Sequence, residues 1–330
     1  IHIDMKKISM ITQHDMNTPN GSTIRPKWQF EALKKNNFED VELIDSFNET
    51  KLNKVSDTLV HAHQFSGKWI KDQKYFVDIH GLEHIQSLNL STGFPIHSWK
   101  KYVYIAKSYY YKKFEINLFK NSTHLICSGE DIFEKVKKYQ NSTVVRNGIF
   151  LNNFSPTNCN ELKVAIVGPF LPGTINYEGL DLIKKTVKGL PNIKFVFIGK
   201  TDDFFRNELN FRNSEFLGLV DNYYEVLRSC SVLFSPYPSY AKYLGSKNKF
   251  LEAAACEMPI ITTSSGAVDF EQNLLLIGNS STKLIQLIES MKNENERKYI
   301  GKSLRKEIEQ NYNADIEIKK IIKLYHEYLN

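Results

Sequence analysis

Cysteine is scarce. Cys127, Cys159, Cys230 and Cys256 are the only four in 330 residues, and no two of them form a Cys-x-x-Cys pair. Neither a zinc site nor a disulfide framework is indicated, and reduced thiols in a cytoplasmic protein are the expectation. Long apolar runs are missing as well. None approaches the roughly 20 residues that a bilayer span needs, and the first residues lack the charged-then-apolar pattern of a secretion signal. Met5-Lys6-Lys7 reads as a native start, with Ile1 to Asp4 a non-native remnant. Charge of one sign is in small excess: 43 Lys+Arg against 37 Asp+Glu leaves +6. That suits anionic small molecules or a membrane surface and is weak for a nucleic-acid binder. Asn20-Gly21-Ser22 follows the first apolar run but is no Gly-x-Gly-x-x-Gly fingerprint, which argues against a nicotinamide cofactor.

What is present is an ordinary globular composition, 42% hydrophobic and 24% charged, in a chain long enough for two domains of about 150 residues. Short apolar runs alternate with amphipathic stretches, the pattern of parallel sheets covered by helices. Strands are expected at 7–11, 41–44, 59–61, 75–79, 124–127 and 143–145, and again at 163–167, 194–198, 215–216, 231–234, 259–262 and 274–277. Helices are expected at 25–35, 131–139, 179–188, 223–228, 247–256 and 283–291. Between the two series, Leu151 to Glu161 has the asparagine and proline content of a linker. The economical fold class is α/β with two Rossmann-like halves.

In such sheets ligands sit beyond the carboxyl ends of strands, where helix N-termini attract negative charge. The segment Gly245-Ser246-Lys247-Asn248-Lys249-Phe250-Leu251-Glu252-Ala253-Ala254-Ala255-Cys256 reads as a glycine turn, a Ser246 N-cap and a one-sided apolar helix. Lys247 and Lys249 in its first turn oppose the helix dipole, an arrangement a bound diphosphate would compensate. Glu252, three residues beyond Lys249 and four beyond Asn248, lies on their face, within reach of the hydroxyls of a sugar on that phosphate. The plainer reading makes Lys249 and Glu252 an exposed i,i+3 pair of little energetic weight.

This segment, with Met258-Pro259-Ile260-Ile261-Thr262-Thr263, resembles the donor-binding signature of GT-B retaining glycosyltransferases of the family 4 type (glycosyl transferases group 1). Val144 to Ile149 and Phe154-Ser155-Pro156 resemble that family's interdomain linker, and Ser231 to Pro236 the strand before the donor loop. Phe216-Leu217-Gly218-Leu219-Val220 resembles the strand and turn whose backbone contacts the base. The resemblance implies a GT-B fold of two Rossmann-like domains facing across a cleft. Residues 1–155, completed by a terminal helix at 313–330, would form the acceptor domain and residues 156–312 the nucleotide-sugar domain. It implies a metal-independent hexosyltransferase moving sugar from a nucleotide donor to a hydroxyl of a glycan or lipid-linked acceptor. His80, Lys247 and Glu252 would be the catalytic residues. Gly21, Ser22, Gly168, Gly218, Val220, Gly245, Ser246, Asn248 and Lys249 would hold the donor. No cofactor, metal or nucleic acid is implied, and the Asp-x-Asp motif of metal-dependent transferases is absent.

Two departures stand out. Leu244 occupies the place of the first carboxylate of the family's Glu-x7-Glu pair, and Gly168-Pro169-Phe170-Leu171-Pro172-Gly173 lacks the usual Arg while Glu178 replaces a Lys before Gly179. Lys247 and Lys249, or less directly Lys200 and Arg25, are candidates to replace those cations. A degenerate nucleotide-binding scaffold or partner subunit, and a nucleotide-sugar epimerase, remain the alternatives. His61-x-His63 has alternate spacing on one strand with no apparent third ligand, so metal is not expected there. From Ser98 to Glu115, five lysines interleave with Trp99, Tyr102, Val103, Tyr109 and Tyr110 on one helical face. That face either packs in the first domain or rests on an anionic membrane surface, as a peripheral contact near a lipid-linked acceptor.

Overall fold

The computed structural model describes residues 8–17, 21–241, 247–268 and 270–329. They divide into two compact units. The first runs to Phe150 and is taken up again from Asn311; the second extends from Leu151 to Gln310 apart from the residues not described. No helix among the described residues is long and apolar enough to cross a membrane. All four cysteines are unpaired thiols.

The first unit has β1 (Ile8–Ile11), α1 (Gly21–Lys35), β2 (Val41–Ile44), β3 (Leu59–His63), β4 (Tyr75–Ile79), α2 (Glu83–Thr92), α3 (Trp99–Asn121), β5 (His124–Cys127), α4 (Glu130–Val136) and β6 (Ser142–Val144). Its six strands pair in parallel in the order β2-β1-β3-β4-β5-β6. The central strands are apolar without alternation because helices cover both of their faces, and every residue of β1, β3 and β4 is buried. The sheet order reverses between β1 and β3, which places the amino end of α1, His63 and His80 at the carboxyl edge of this sheet.

The second unit has β7 (Lys163–Val167), α5 (Ile175–Glu178), α6 (Leu180–Gly189), β8 (Lys194–Ile198), α7 (Asp203–Glu208), β9 (Ser214–Gly218), α8 (Tyr223–Arg228), β10 (Val232–Ser235), α9 (Asn248–Ala255), β11 (Ile260–Thr262), β12 (Leu276–Ile277), α10 (Ser281–Ser290) and α11 (Glu294–Asn311). Strand order β12-β11-β10-β7-β8-β9, all parallel, reverses between β7 and β10. Phe195, Phe197, Phe205 and Phe234 with Ile183, Val187 and Leu284 fill its core. The last helix, α12 (Ala314–Leu329), belongs to the first unit. Its Ala314, Ile318, Ile321 and Tyr325 pack with Ile8, Met10 and Trp28, and Tyr325 Oη lies 2.6 Å from His61 Nδ1.

The basic aromatic segment forms α3, longer than the sequence suggests. Its inner face carries Ser108, Glu115, Leu118 and Phe119, all buried. Glu115 accepts the Glu83 backbone N–H at 2.7 Å and pairs with the His84 ring, so a buried carboxylate sits at the amino end of α2. The aromatic face does not pack inside the unit: Trp99, Tyr102, Val103, Tyr109 and Tyr110 are all exposed.

Candidate active site

The reversal between β7 and β10 marks where a ligand would sit in the second unit. Val167 ends β7, and Gly168 opens a loop with no room for a side chain, since a Cβ there would lie 2.7 Å from the Phe170 ring. Asn176, buried in α5, donates from Nδ2 to the Val167 carbonyl at 2.8 Å and to that of Pro169 at 3.2 Å. This side chain ties the loop to the strand end.

α9 faces this loop. Its Phe250, Leu251, Ala253, Ala254 and Ala255 are buried, while Asn248, Lys249 and Glu252 lie on the partly open side. It stops in a Schellman turn. Glu257, at φ 56, donates its N–H to Ala254, and Met258 donates to Ala253. Pro259 follows. Gly301 of α11 packs against that turn, where an added Cβ would lie 1.9 Å from the Glu257 carbonyl oxygen.

The start of α9 corrects the sequence reading by one position. Lys247, not Ser246, is the N-cap, and it makes no side-chain cap bond. Lys247 is buried, and its Nζ donates to the Val268 carbonyl at 2.6 Å. It is therefore not the open first-turn cation expected from the sequence. Lys249 is half-buried. Its Nζ lies 3.5 Å from the Val167 carbonyl and 3.4 Å from Asn176 Oδ1, both long contacts, at the carboxyl end of β7. The Tyr237 ring, just past β10, has both ammonium groups over it, at 5.8 Å for Lys247 and 5.2 Å for Lys249. Burial, reinforced by Lys247, pulls the Lys249 ammonium down to about 7, with Glu252 opposing. Burial also raises the Glu252 carboxyl above its ordinary value, against a bond from Tyr223 and the charge of Lys249. Tyr223 Oη donates to Glu252 Oε2 at 2.7 Å.

Gly218 ends β9 at φ 69, a left-handed backbone that favours glycine, and Val220 lies in the loop beyond it. Glu178, in place of the family's Lys, accepts from the Tyr240 phenol at 3.0 Å. Lys200 is exposed in the loop after β8. Gly245, Ser246 and the departure at Leu244 lie outside the described residues.

Gly21, Ser22 and His80 belong to the first unit, and α1 begins at Gly21 itself, earlier than expected. His80 follows β4, its Nε2 3.0 Å from His63 Nδ1. Burial holds its pKa at about 3, with Asp78 opposing, so His80 is a neutral hydrogen-bonding group at ordinary pH. Arg25 is not a phosphate cation: 2% exposed, it donates from Nε to Asp78 at 2.6 Å, from Nη1 to Asn147 at 2.7 Å and from Nη2 to the Val145 carbonyl at 2.8 Å. Asp78 supplies the third group near His61 and His63 that the sequence does not reveal. Its two oxygens already take Arg25 and Gln29, the latter at 2.8 Å, so a resident guanidinium stands where a metal would need the carboxylate.

Sequence reasoning missed Asn176, Tyr223, Tyr237 and the Arg25–Asp78 pair. Tyr237 carries a usable signal in directly following Ser235-Pro236 at a strand's carboxyl end. Tyr223 and the Arg25–Asp78 pair have none, because their partners are 29 and 53 residues away, and Asn176 has none because its bonds depend on the path of the loop between β7 and α5.

Residues 161–293 match the sequence model of the family described as Glycosyl transferases group 1. No curated protein matches the chain. Among solved structures, HepE of Anabaena in complex with UDP-glucose superposes with a TM-score of 0.68 at 12% identity, covering 97% of this chain and 99% of that one. The fold is GT-B. A glycosyltransferase from Rickettsia africae matches at TM-score 0.67 and 12% identity over 99% of both chains. A mutant of S. aureus TarM, bound to Fondaparinux, alpha-GlcNAc-glycerol and UDP, matches at 0.62 and 18%, over 90% of this chain and 58% of that one. Within the second unit, residues 161–293 are thus similar to Glycosyl transferases group 1, and the loop–α9 site lies within that matched stretch.

Proposed function

We propose that the protein is a glycosyltransferase that moves a hexosyl group from a nucleoside diphosphate sugar to a hydroxyl of a glycan or lipid-linked acceptor, with retention and without a metal. The observation that carries the reading is Lys249, whose loosely held ammonium lies at the β7 end, where the strand order reverses, on the first turn of α9. The donor's diphosphate would meet that ammonium together with the N–H groups that a helix start leaves without an intrahelical partner. The UDP and UDP-glucose bound by HepE support a nucleotide sugar as the donor class.

As the bond between the anomeric carbon and the phosphate oxygen breaks, its electron pair passes to the diphosphate. Lys249 and the α9 dipole stabilise that charge, so the cationic task that a divalent ion performs elsewhere falls to the protein's own groups. The acceptor oxygen attacks the same face of the sugar, and its proton leaves on the departing diphosphate. Glu252, fixed by Tyr223, orients the nucleotide's sugar hydroxyls. His80, Gly21 and Ser22 of the first unit are proposed to contact donor or acceptor, His80 as an uncharged partner. Gly168, Gly218, Val220, Gly245, Ser246 and Asn248 would frame the donor through their backbone. The absence of a membrane-spanning helix among the described residues is compatible with a cytoplasmic enzyme working at the membrane face.

A thermal-shift screen of nucleoside diphosphates and their sugars identifies the donor, and acceptor-dependent diphosphate release measures turnover. Glu252→Ala and Lys249→Met are expected to lower both donor affinity and turnover by at least about tenfold. Unchanged affinity in both variants would remove the site. Tight binding without turnover over a broad acceptor panel would leave a scaffold, and an altered sugar nucleotide formed without acceptor an epimerase.

A further inference from the structure

Over Trp99 to Phe114 the sequence holds Lys100, Lys101, Lys107, Lys112 and Lys113 and not one Asp or Glu. The structure divides this helix into two faces. One packs inward through Ser108, Glu115 and Leu118. The opposite one presents Trp99 at 70% exposure, Tyr102 at 57%, Tyr109 at 74% and Tyr110 at 67%, with Val103 beside them and Ile96, at 74%, just ahead of the helix. At 100° per residue the five helical positions, Trp99, Tyr102, Val103, Tyr109 and Tyr110, fall within one third of the helix circumference. Lys113 lies within the stripe, Lys100 and Lys107 along one edge, and Lys112 towards the other. Large apolar side chains this open normally occur singly on a soluble surface.

We propose that this face of α3 docks on an anionic lipid surface. Trp and Tyr carry an apolar ring and a polar edge, which suits them to the headgroup layer of a bilayer. The lysines can extend along the stripe to reach lipid phosphates. A second copy of the chain is a poorer occupant, since an isologous contact would bring Lys100, Lys107, Lys112 and Lys113 against the same four lysines. The proposal goes beyond the transferase reading and does not depend on it, because α3 and the loop–α9 site belong to different units.

The test is flotation of the full chain with vesicles of phosphatidylcholine alone and of three parts phosphatidylcholine to one part phosphatidylglycerol. Wild type is expected to float with the anionic vesicles only, and less so at high salt. A Trp99→Ser/Tyr109→Ser/Tyr110→Ser variant and a Lys107→Glu/Lys112→Glu/Lys113→Glu variant should each lose about tenfold or more in partitioning. Both should keep the wild-type melting temperature and its diphosphate release with a soluble acceptor. Failure to float with anionic vesicles overturns the proposal, as does wild-type flotation by both variants. So does a wild-type dimer, seen by sedimentation velocity, that the aromatic variant dissolves. Variants that stop floating yet keep release leave the transferase reading standing; a wild type that floats with anionic vesicles but releases no diphosphate counts against that reading alone.

Discussion

Tyr223 Oη donates to Glu252 Oε2 across 2.7 Å, joining the start of α8 to the second turn of α9. Burial raises the Glu252 carboxyl, and this bond works against the rise. Tyr223→Phe therefore lifts the Glu252 pKa further, and the acid limb of the pH–rate profile is expected to move to higher pH. A bond to a charged group also contributes about 1.5–3 kcal/mol. A profile unmoved by the substitution would place Glu252 outside the rate-determining chemistry.

The Lys249 ammonium, held near 7 mainly by burial, is expected to rise when a diphosphate docks beside it. Binding then takes up a proton at pH values above 7. Affinity for a nucleotide sugar, whose phosphates are both esterified and do not titrate there, should be greatest below neutrality and fall by up to about tenfold per pH unit above it. Calorimetry in buffers of different ionisation enthalpy measures the proton taken up. Lys249→Met should bind weakly at every pH, with the slope gone, and the apoprotein should melt higher because a desolvated ammonium is removed.

Arg25→Met tests the buried pair of the first unit. Burial pushes the Asp78 carboxyl up, but Arg25 and the His61 bond hold it well below the usual carboxylate range. A depressed carboxylate stabilises the fold above its unfolded pKa and loses that contribution only as pH falls through the folded value, so the pair is intact throughout the neutral range. Removing the guanidinium leaves a buried charge, and a loss of about 3–5 kcal/mol is expected in denaturant melts. Asp78→Asn combined with Arg25→Met should recover part of it.

Gly301→Ala should destabilise the second unit, because its Cβ would fall 1.9 Å from the Glu257 carbonyl oxygen in the turn that ends α9. Overpacking of this kind costs typically about 1–3 kcal/mol, and more where backbone must move. Donor affinity should drop as well, since the displaced turn terminates the helix that carries Lys249. A Tm within error of wild type would mean that α11 can shift freely.

Strands such as β4, β7 and β8 were legible in the sequence to the residue, because a doubly covered strand is a short continuous apolar run between polar turns. α2 and α11 were not. α11 is dominated by charged residues and buries only Arg297, Gly301, Leu304 and Ile308, and α2 buries two serines. Such helices rest on packing rather than on periodicity. In the candidate site, the sequence singled out both lysines of the Lys247-Asn248-Lys249 run, yet only the fold separates their tasks. Which ammonium turns towards Val268 and which towards Val167 depends on loops that no local pattern encodes. The exposed stripe on α3 is a similar case: helical spacing gives the stripe, and only the partners of its opposite face show which way it turns.

The contact between Tyr325 and His61 also bears on the order of folding during synthesis. α12 leaves the ribosome after the whole second unit, yet it supplies Ile318, Ile321 and Tyr325 to the hydrophobic cluster around β1. The second unit can finish as soon as its own continuous stretch has emerged. The first must wait with one flank of its sheet uncovered, which reverses the usual amino-terminal-first sequence of a nascent multidomain chain.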